Sequence, residues 1–446
     1  MRFFHLPLIA SLLGWPAAAL AQKNRPDVRF EDRLLLSLPG GALSYSVSVS
    51  PDGRRAGVGE HFSPTGQVAA HRARESGREF MVIDGRKGEE FDSVEAPQFN
   101  PDGKRVAYWA EKSDKWFVVA GSSRSEESED LNRLVFSPDG KTLAYWVTQR
   151  GKHYAVVGDE KGPGFDWIDS LVFRPDGKAV AYWAKRDGKR FVVGGDQRNE
   201  EFADFNESRR IVFSPNGAKL AYAAKMDGKW LVVEGDKKGR RFDYVGDPVF
   251  SADGKRVAYS ASLGYKANER ETFSQGKWFV MEGDAKGGEF DGVGDPAFSP
   301  DGRVMAYTAG KGRKSFLVVD GKKGEEFDGV GQPVFSPDGK TMAYWANLGG
   351  EFSPDHGRVT GGRWFVVLGK QKGEEFDAVD DIVFSPDGKV LAYAAQKGGE
   401  SFVVAGDQKG QRFDHVWPPV FSPDGKRIGY GAQKGRNIYW KTMDVK

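Results

Sequence analysis

Apolar runs of three to five residues recur along the whole chain, each broken by a polar turn that closes on glycine. One unit shows the pattern. Ile211-Val212-Phe213 leads into Ser-Pro-Asn-Gly, and Leu220-Ala221-Tyr222-Ala223 follows. Trp230-Leu231-Val232-Val233 comes next, then Phe242-Asp243-Tyr244-Val245. Met226-Asp227-Gly228-Lys229 and Gly235-Asp236-Lys237-Lys238-Gly239 separate the later runs. Each linker supplies the Gly, Asp or Asn that tight turns need. No run reaches the roughly 10 to 12 residues of a helix, and the β-branched and aromatic enrichment favours strands. The pattern predicts four short antiparallel strands per unit.

The turn recurs ten times, from Pro51-Asp52-Gly53 to Pro423-Asp424-Gly425, at spacings of 50, 37, 37, 40, 37, 48, 37, 49 and 37 residues. Because Val, Phe, Tyr and Trp occur at both strand parities, each predicted sheet is apolar on both faces and must be sandwiched between neighbours. Closing the row removes exposed ends. The expected fold is therefore all-β: a β-propeller of about ten four-stranded antiparallel blades. The last unit lacks the Phe-Asp-x-Val run, while residues 29–36 offer a spare strand that could pair into it. Two five-bladed rings would need a break around residues 235–260, where the repeat runs in register, so one ring is expected over residues 22–446.

Ser336-Pro337-Asp338-Gly339-Lys340 followed by Met342-Ala343-Tyr344 resembles the WD-like β-propeller repeat of the type that forms the C-terminal propeller of TolB. The resemblance covers nearly all of residues 22–446. It implies a strand order from an innermost Val-Phe-Ser through Ala-Tyr and Phe-Val-Val to an outermost Phe-Asp. The chain departs from TolB in carrying more repeats and in showing no N-terminal α/β domain.

Met1 to Ala21 changes the picture of location. Arg2, the apolar stretch Leu6–Leu20 and Ala19-Leu20-Ala21 read as a secretory signal peptide. The stretch is about 15 residues long and broken by Pro7 and Pro16, short of the roughly 20 of a membrane span. A periplasmic or secreted protein with no membrane span is expected. Without the leader's arginine, 64 Lys and Arg stand against 63 Asp and Glu. That near-neutrality argues against nucleic acid as a partner. The chain has no cysteine, which excludes disulfides and thiolate chemistry.

Three long segments fall between predicted second and third strands: 59–78, 262–276 and 347–362. Sharing one rim, they nominate that rim as the functional face. The residues just before each innermost strand should ring the central mouth on the same face. Among them Asp247, Asp295 and Asp381 form an acidic arc, Arg133 and Arg210 a basic one, and Gln332 lies between. His61, His71 and His356 fall in the inserted segments. The recurrent Phe-Asp pairs, and the Tyr-Trp pairs such as Tyr108-Trp109 and Tyr344-Trp345, are needed once per unit and read as structural. No His-x-x-x-His spacing and no Gly-x-Ser-x-Gly elbow is present, and neither a cofactor nor a metal is expected. The leading expectation is a monomeric protein- or glycan-binding scaffold of the cell envelope. The alternative is a metal-assisted polysaccharide lyase or hydrolase using the acidic arc and the histidines.

Overall fold

The computed structural model describes residues 33–37, 47–49, 56–58, 61–62, 68–194, 197–198, 201–205, 210–264, 276–353 and 358–445. The expected signal peptide, residues 265–275 and His356 lie outside them. Among the described residues there are only strands, turns and bends, with no helix long and apolar enough to cross a membrane. Ten sheets have four or more strands, all antiparallel, and two more are two-stranded hairpins. The larger sheets are numbered here in chain order. Sheets 1 to 5 cover residues 61–91, 93–124, 130–165, 167–198 and 204–238. Sheets 6 to 9 cover 244–286, 292–323, 329–372 and 378–409, and sheet 10 covers 415–444.

The two-faced character of the repeat explains how consecutive sheets meet. In sheet 6, Tyr259 and Ala261 on the second strand pack back against Val232, Phe242 and Val245. Ala258 and Val280 point the other way, into Met305, Tyr307 and Phe316 of sheet 7. The Phe of three Phe-Asp pairs rests edge-on against the Tyr of the following sheet, in Phe165–Tyr182 (6.1 Å), Phe327–Tyr344 (6.4 Å) and Phe376–Tyr393 (6.0 Å). The Tyr-Trp pairs divide the same work. Tyr145 packs toward sheet 2, and Trp146 joins the cluster shared with sheet 4.

The Phe-Asp run is not simply an outermost strand. Phe242 bridges to Trp230 at the outer edge of sheet 5, whereas Tyr244–Val245 pair with Ser262 and Ala261 of sheet 6. The chain changes sheet at Asp243, which is held from both sides. Lys229 Nζ of sheet 5 and the Gly264 amide of sheet 6 (2.8 Å) both donate to it. Asp328 repeats the arrangement with Lys314 Nζ (2.6 Å) and the Gly349 amide (2.8 Å). The lysine contact first, and then the amide, holds both carboxyls below the ordinary aspartate range. These aspartates bind sheet to sheet, in agreement with a structural role.

The first unit departs from expectation. Segment 59–78 is not an inserted loop, because His61–Phe62 and Ala69–Glu75 are the first two strands of sheet 1. Between them the sequence reads Ser63-Pro64-Thr65-Gly66, a further copy of the turn with threonine for aspartate, 37 residues before Pro101. Val47–Val49 and Ala56–Val58, which flank Pro51-Asp52-Gly53, form a separate hairpin. At the other end, Arg33–Ser37 pairs antiparallel with Asn437–Asp444 of sheet 10. Of the remaining segments, Glu351–Ser353 and Arg358–Thr360 form a small ribbon.

The Ser-Pro-Asp-Gly turns are built alike. In sheet 8, Ser336 Oγ donates to Asp338 Oδ1 (2.7 Å) and accepts from the Thr341 amide (3.0 Å), while the Lys340 amide donates to Asp338 (3.1 Å). Gly339 sits at φ +71°, and a Cβ there would lie 2.9 Å from Asp301 Oδ1 in the preceding sheet's turn. Both the left-handed backbone and the close approach require glycine. Gly339→Ala is expected to lower the unfolding free energy by about 1–3 kcal/mol, measured by urea denaturation at neutral pH.

Candidate functional site

In sheets 3, 4 and 9 the first strand is an edge strand with a bulge, in sheets 2, 6, 7, 8 and 10 it is broken in two at the same place, and Arg133, Asp247, Asp295, Gln332 and Asp381 occupy that bulge or break. In sheet 3 the register shifts between Asn132, opposite Trp146, and Val135, opposite Ala144, so Arg133 and Leu134 face one residue. The strand begins earlier than the Val-Phe-Ser run suggests. The candidates therefore sit partway along the edge and not at its tip, which corrects their expected position. The bulge takes two forms. Arg133, Ser170 and Asp381 adopt left-handed backbone at φ 58°, 57° and 56°. Asp247, Asp295 and Gln332 instead precede buried Pro248, Pro296 and Pro333. Proline lacks an N–H for the ladder, and an edge-strand bulge is where a strand tolerates that loss.

What lies opposite the bulge decides what can enter. Trp109, Trp146, Trp183 and Trp345 hold this second-strand position in sheets 2, 3, 4 and 8. In sheets 6 and 7 it is Ser260 and Thr308, whose carbonyls accept from the Gly246 and Gly294 amides. The short hydroxyl side chains leave room for the next sheet's bulge residue to lean across. Ser260 Oγ donates to Asp295 Oδ1 at 3.2 Å. A Cβ on Gly246 would lie 2.2 Å from Ser260 Oγ and 3.0 Å from Asp295 Oδ1. On Gly294 it would lie 2.3 Å from Thr308 Oγ1 and 2.6 Å from Gln332 Nε2.

Asp247, Ser260, Asp295, Thr308 and Gln332 thus form one polar run over sheets 6 to 8. Asp295 keeps one side open to solvent, yet protein crowds it on the others. That crowding pushes its carboxyl above the ordinary aspartate range, the Ser260 hydrogen bond opposes the shift, Asp247 adds to it and Arg210 counters it. Arg210 therefore belongs to the same neighbourhood. Two other candidates do not. Arg133 stands 3.9 Å from Asp169 between sheets 3 and 4. Asp381, in sheet 9, is pushed up to about 6 by burial and then by the neighbouring Asp380.

Of the three candidate histidines, His356 lies outside the described residues. His61 and His71 lie in strands of sheet 1 and not in a loop. Among the described residues no three His, Asp or Glu side chains are grouped so as to hold a metal ion. Ser260, Thr308 and a set of aromatics were not singled out from the sequence. Lys229-Trp230, Lys277-Trp278 and Arg363-Trp364 recur where the third strand leaves the second–third turn, and that recurrence was the available signal. Trp278 lies 5.2 Å from Tyr244 and Trp364 lies 4.8 Å from Trp345, all half-buried. Trp364 Nε1 donates to the Gly361 carbonyl (3.0 Å), which fixes its indole.

No protein-family model and no curated protein matches the chain. Among solved structures it is similar to a eukaryotic initiation factor at 14% identity and TM-score 0.43, covering 84% of this chain and 92% of that one. It is also similar to the Dos1 propeller, at 10% identity and TM-score 0.33, covering 78% and 91%. A third is the β-propeller domain of the Trilobed protease from Pyrococcus furiosus, at 14% identity and TM-score 0.29, covering 71% and 94%.

The raised Asp381 carboxyl gives a pH signature. Its folded pKa of about 6 exceeds the unfolded value of roughly 3.9, so the folded state binds the proton more tightly. Its stabilising contribution is complete below the unfolded pKa and is lost as pH rises through about 6. Asp381→Asn should therefore melt above the parent protein near pH 8, the gap closing toward pH 4 (roughly the unfolded pKa), as followed by calorimetry.

Proposed function

We propose that this chain is an exported β-propeller of ten four-stranded blades in one ring, acting in the periplasm or outside the cell as a protein- or glycan-binding module. The binding patch lies on sheets 5 to 8. The observation that carries this reading is the exchange of tryptophan for Ser260 and Thr308 at two successive junctions. It turns an apolar seam into a run of hydrogen-bonding groups, beside half-buried Trp230, Trp278 and Trp364. Few convergent polar groups next to aromatic surface are what recognition sites present. The ribbon at Glu351–Thr360 rises from the same arc, and in sequence residues 265–275 are inserted into it.

Ring closure is supported by the pairing of Leu34 with Tyr439. The chain has no native cysteine, so Leu34→Cys combined with Tyr439→Cys tests it cleanly. Under mild oxidation the pair should form one disulfide and raise the melting temperature. Two thiols that stay free would refute closure by this strand.

Binding is tested on a glycan array and by capture from envelope extract, comparing the parent protein with an Asp295→Ala, Gln332→Ala double variant. A specific signal lost in the variant supports the patch. A signal the variant retains places binding elsewhere, and no signal in either format removes the reading.

A further inference from the structure

At the end of the strands that carries the first–second turns stand cations whose side chains the fold does not use. Each Ser-Pro-Asp-Gly turn engages its serine, aspartate and glycine, but only the backbone amide of the residue that follows, as at Lys340. Any residue except proline supplies that amide. In eight of the ten larger sheets the position nevertheless holds lysine or arginine. The side chains of Lys104, Lys141, Lys255, Arg303, Lys340 and Lys389 are 80–85% exposed. Each lies 3.4–3.9 Å from the aspartate of its own turn, and exposed contacts of that kind hold a cation weakly.

Three lysines of the third–fourth turns, at the same end, show the contrast. Lys87, Lys286 and Lys323 lie 4.2–4.4 Å from the ring centres of Phe80, Phe279 and Phe316, and each pairs with the glutamate three residues on. The first–second turns also touch their neighbours. Arg105 donates to the Gly140 and Lys141 carbonyls (3.2 and 2.7 Å), and Arg256 to those of Gly302 and Arg303 (3.1 and 3.0 Å). Successive turns thus join into a band. The ten six-residue segments that form these turns, such as 336–341, hold 13 Lys and Arg against 8 Asp. The rest of residues 22–446 holds 51 Lys and Arg against 55 Asp and Glu, so the excess positive charge is gathered on the band.

We propose that this band docks on an anionic lipid surface. Its cations stand on turn tips and not in a cleft, so a small anion would meet one or two of them, whereas an extended surface meets many at once. Because the turns are built alike, their charged groups stand at one level, as a planar array of headgroups requires. A lysine or arginine near such a surface adds about fivefold in affinity. The ribbon at Glu351–Thr360 leaves from the opposite end of the strands, so docking keeps it clear of the lipid. The proposal does not depend on the patch on sheets 5 to 8.

Co-sedimentation with vesicles tests the proposal, using phosphatidylglycerol and phosphatidylcholine in equal parts, pure phosphatidylcholine, and soluble dextran sulfate as a polymer competitor. The protein should bind the mixed vesicles and not the neutral ones. Binding should fall away between about 0.1 M and 1 M salt, as the Debye length shrinks from about 10 Å to about 3 Å. Two triple variants with the same net charge locate the contact. Lys141→Glu, Lys340→Glu, Lys389→Glu changes the band and should weaken vesicle binding about tenfold or more. Lys115→Glu, Lys311→Glu, Arg313→Glu changes the opposite end and should cost at most about threefold, the non-local share of the lost charge. The proposal is overturned if the mixed vesicles are not bound, if neutral vesicles bind equally well, if dextran sulfate is bound and the vesicles are not, or if both triple variants lose affinity alike.

Discussion

Each of sheets 2 to 9 has two apolar faces, and the need to cover both is the constraint from which the other features follow. Tyr259 and Ala258 are neighbours on one strand, yet they enter cores shared with different sheets. An isolated sheet of this kind would expose one complete core, at roughly 25 cal/mol per Å² of apolar surface. No sheet can be stable alone, and stability resides in the junctions between sheets. The polar groups at the junctions keep this stacking in register. A lysine from one sheet and a backbone amide from the next meet on Asp166, Asp243 and Asp328.

The candidate patch grows from a local change in this repeated plan. Where tryptophan stands opposite the bulge, an indole fills the space. Where serine or threonine stands there, the next sheet's Asp295 or Gln332 fills it, bringing hydrogen-bonding capacity to a place that is otherwise apolar. The buried prolines after Asp247, Asp295 and Gln332 belong to the same economy. The bulge residue needs no ladder hydrogen bond, so proline costs little and stiffens the edge from which the side chain projects. Repetition thus supplies the rigidity, and departures from repetition supply the chemistry.

The repeat was legible in the chain because period and turn chemistry act locally. A glycine with positive φ after Ser-Pro-Asp identifies a turn wherever it occurs, and alternating apolar residues announce a two-faced strand. What escaped was the copy at Ser63-Pro64-Thr65-Gly66, since threonine replaced the aspartate that marked the others, although its 37-residue distance to Pro101 was in view. Treating that segment as a loop misplaced His61 and His71. The bulge also escaped. Run lengths show that a strand exists but not where it begins to pair, and the pairing of Tyr244–Val245 with sheet 6 moves Asp247 inward from the tip. Asp247, Asp295 and Gln332 were found as departures from the repeat, whereas Ser260 and Thr308 became visible only once the neighbouring sheet was in place.

Mutual covering of the sheets can be measured by native-state hydrogen exchange at the second-strand amides of Tyr222, Tyr307 and Tyr393, which belong to sheets 5, 7 and 9. If no sheet stands alone, these amides exchange through a common opening and their protection free energies agree within about 1 kcal/mol. Separate openings, with one sheet exchanging freely while its neighbours stay protected, would contradict the account.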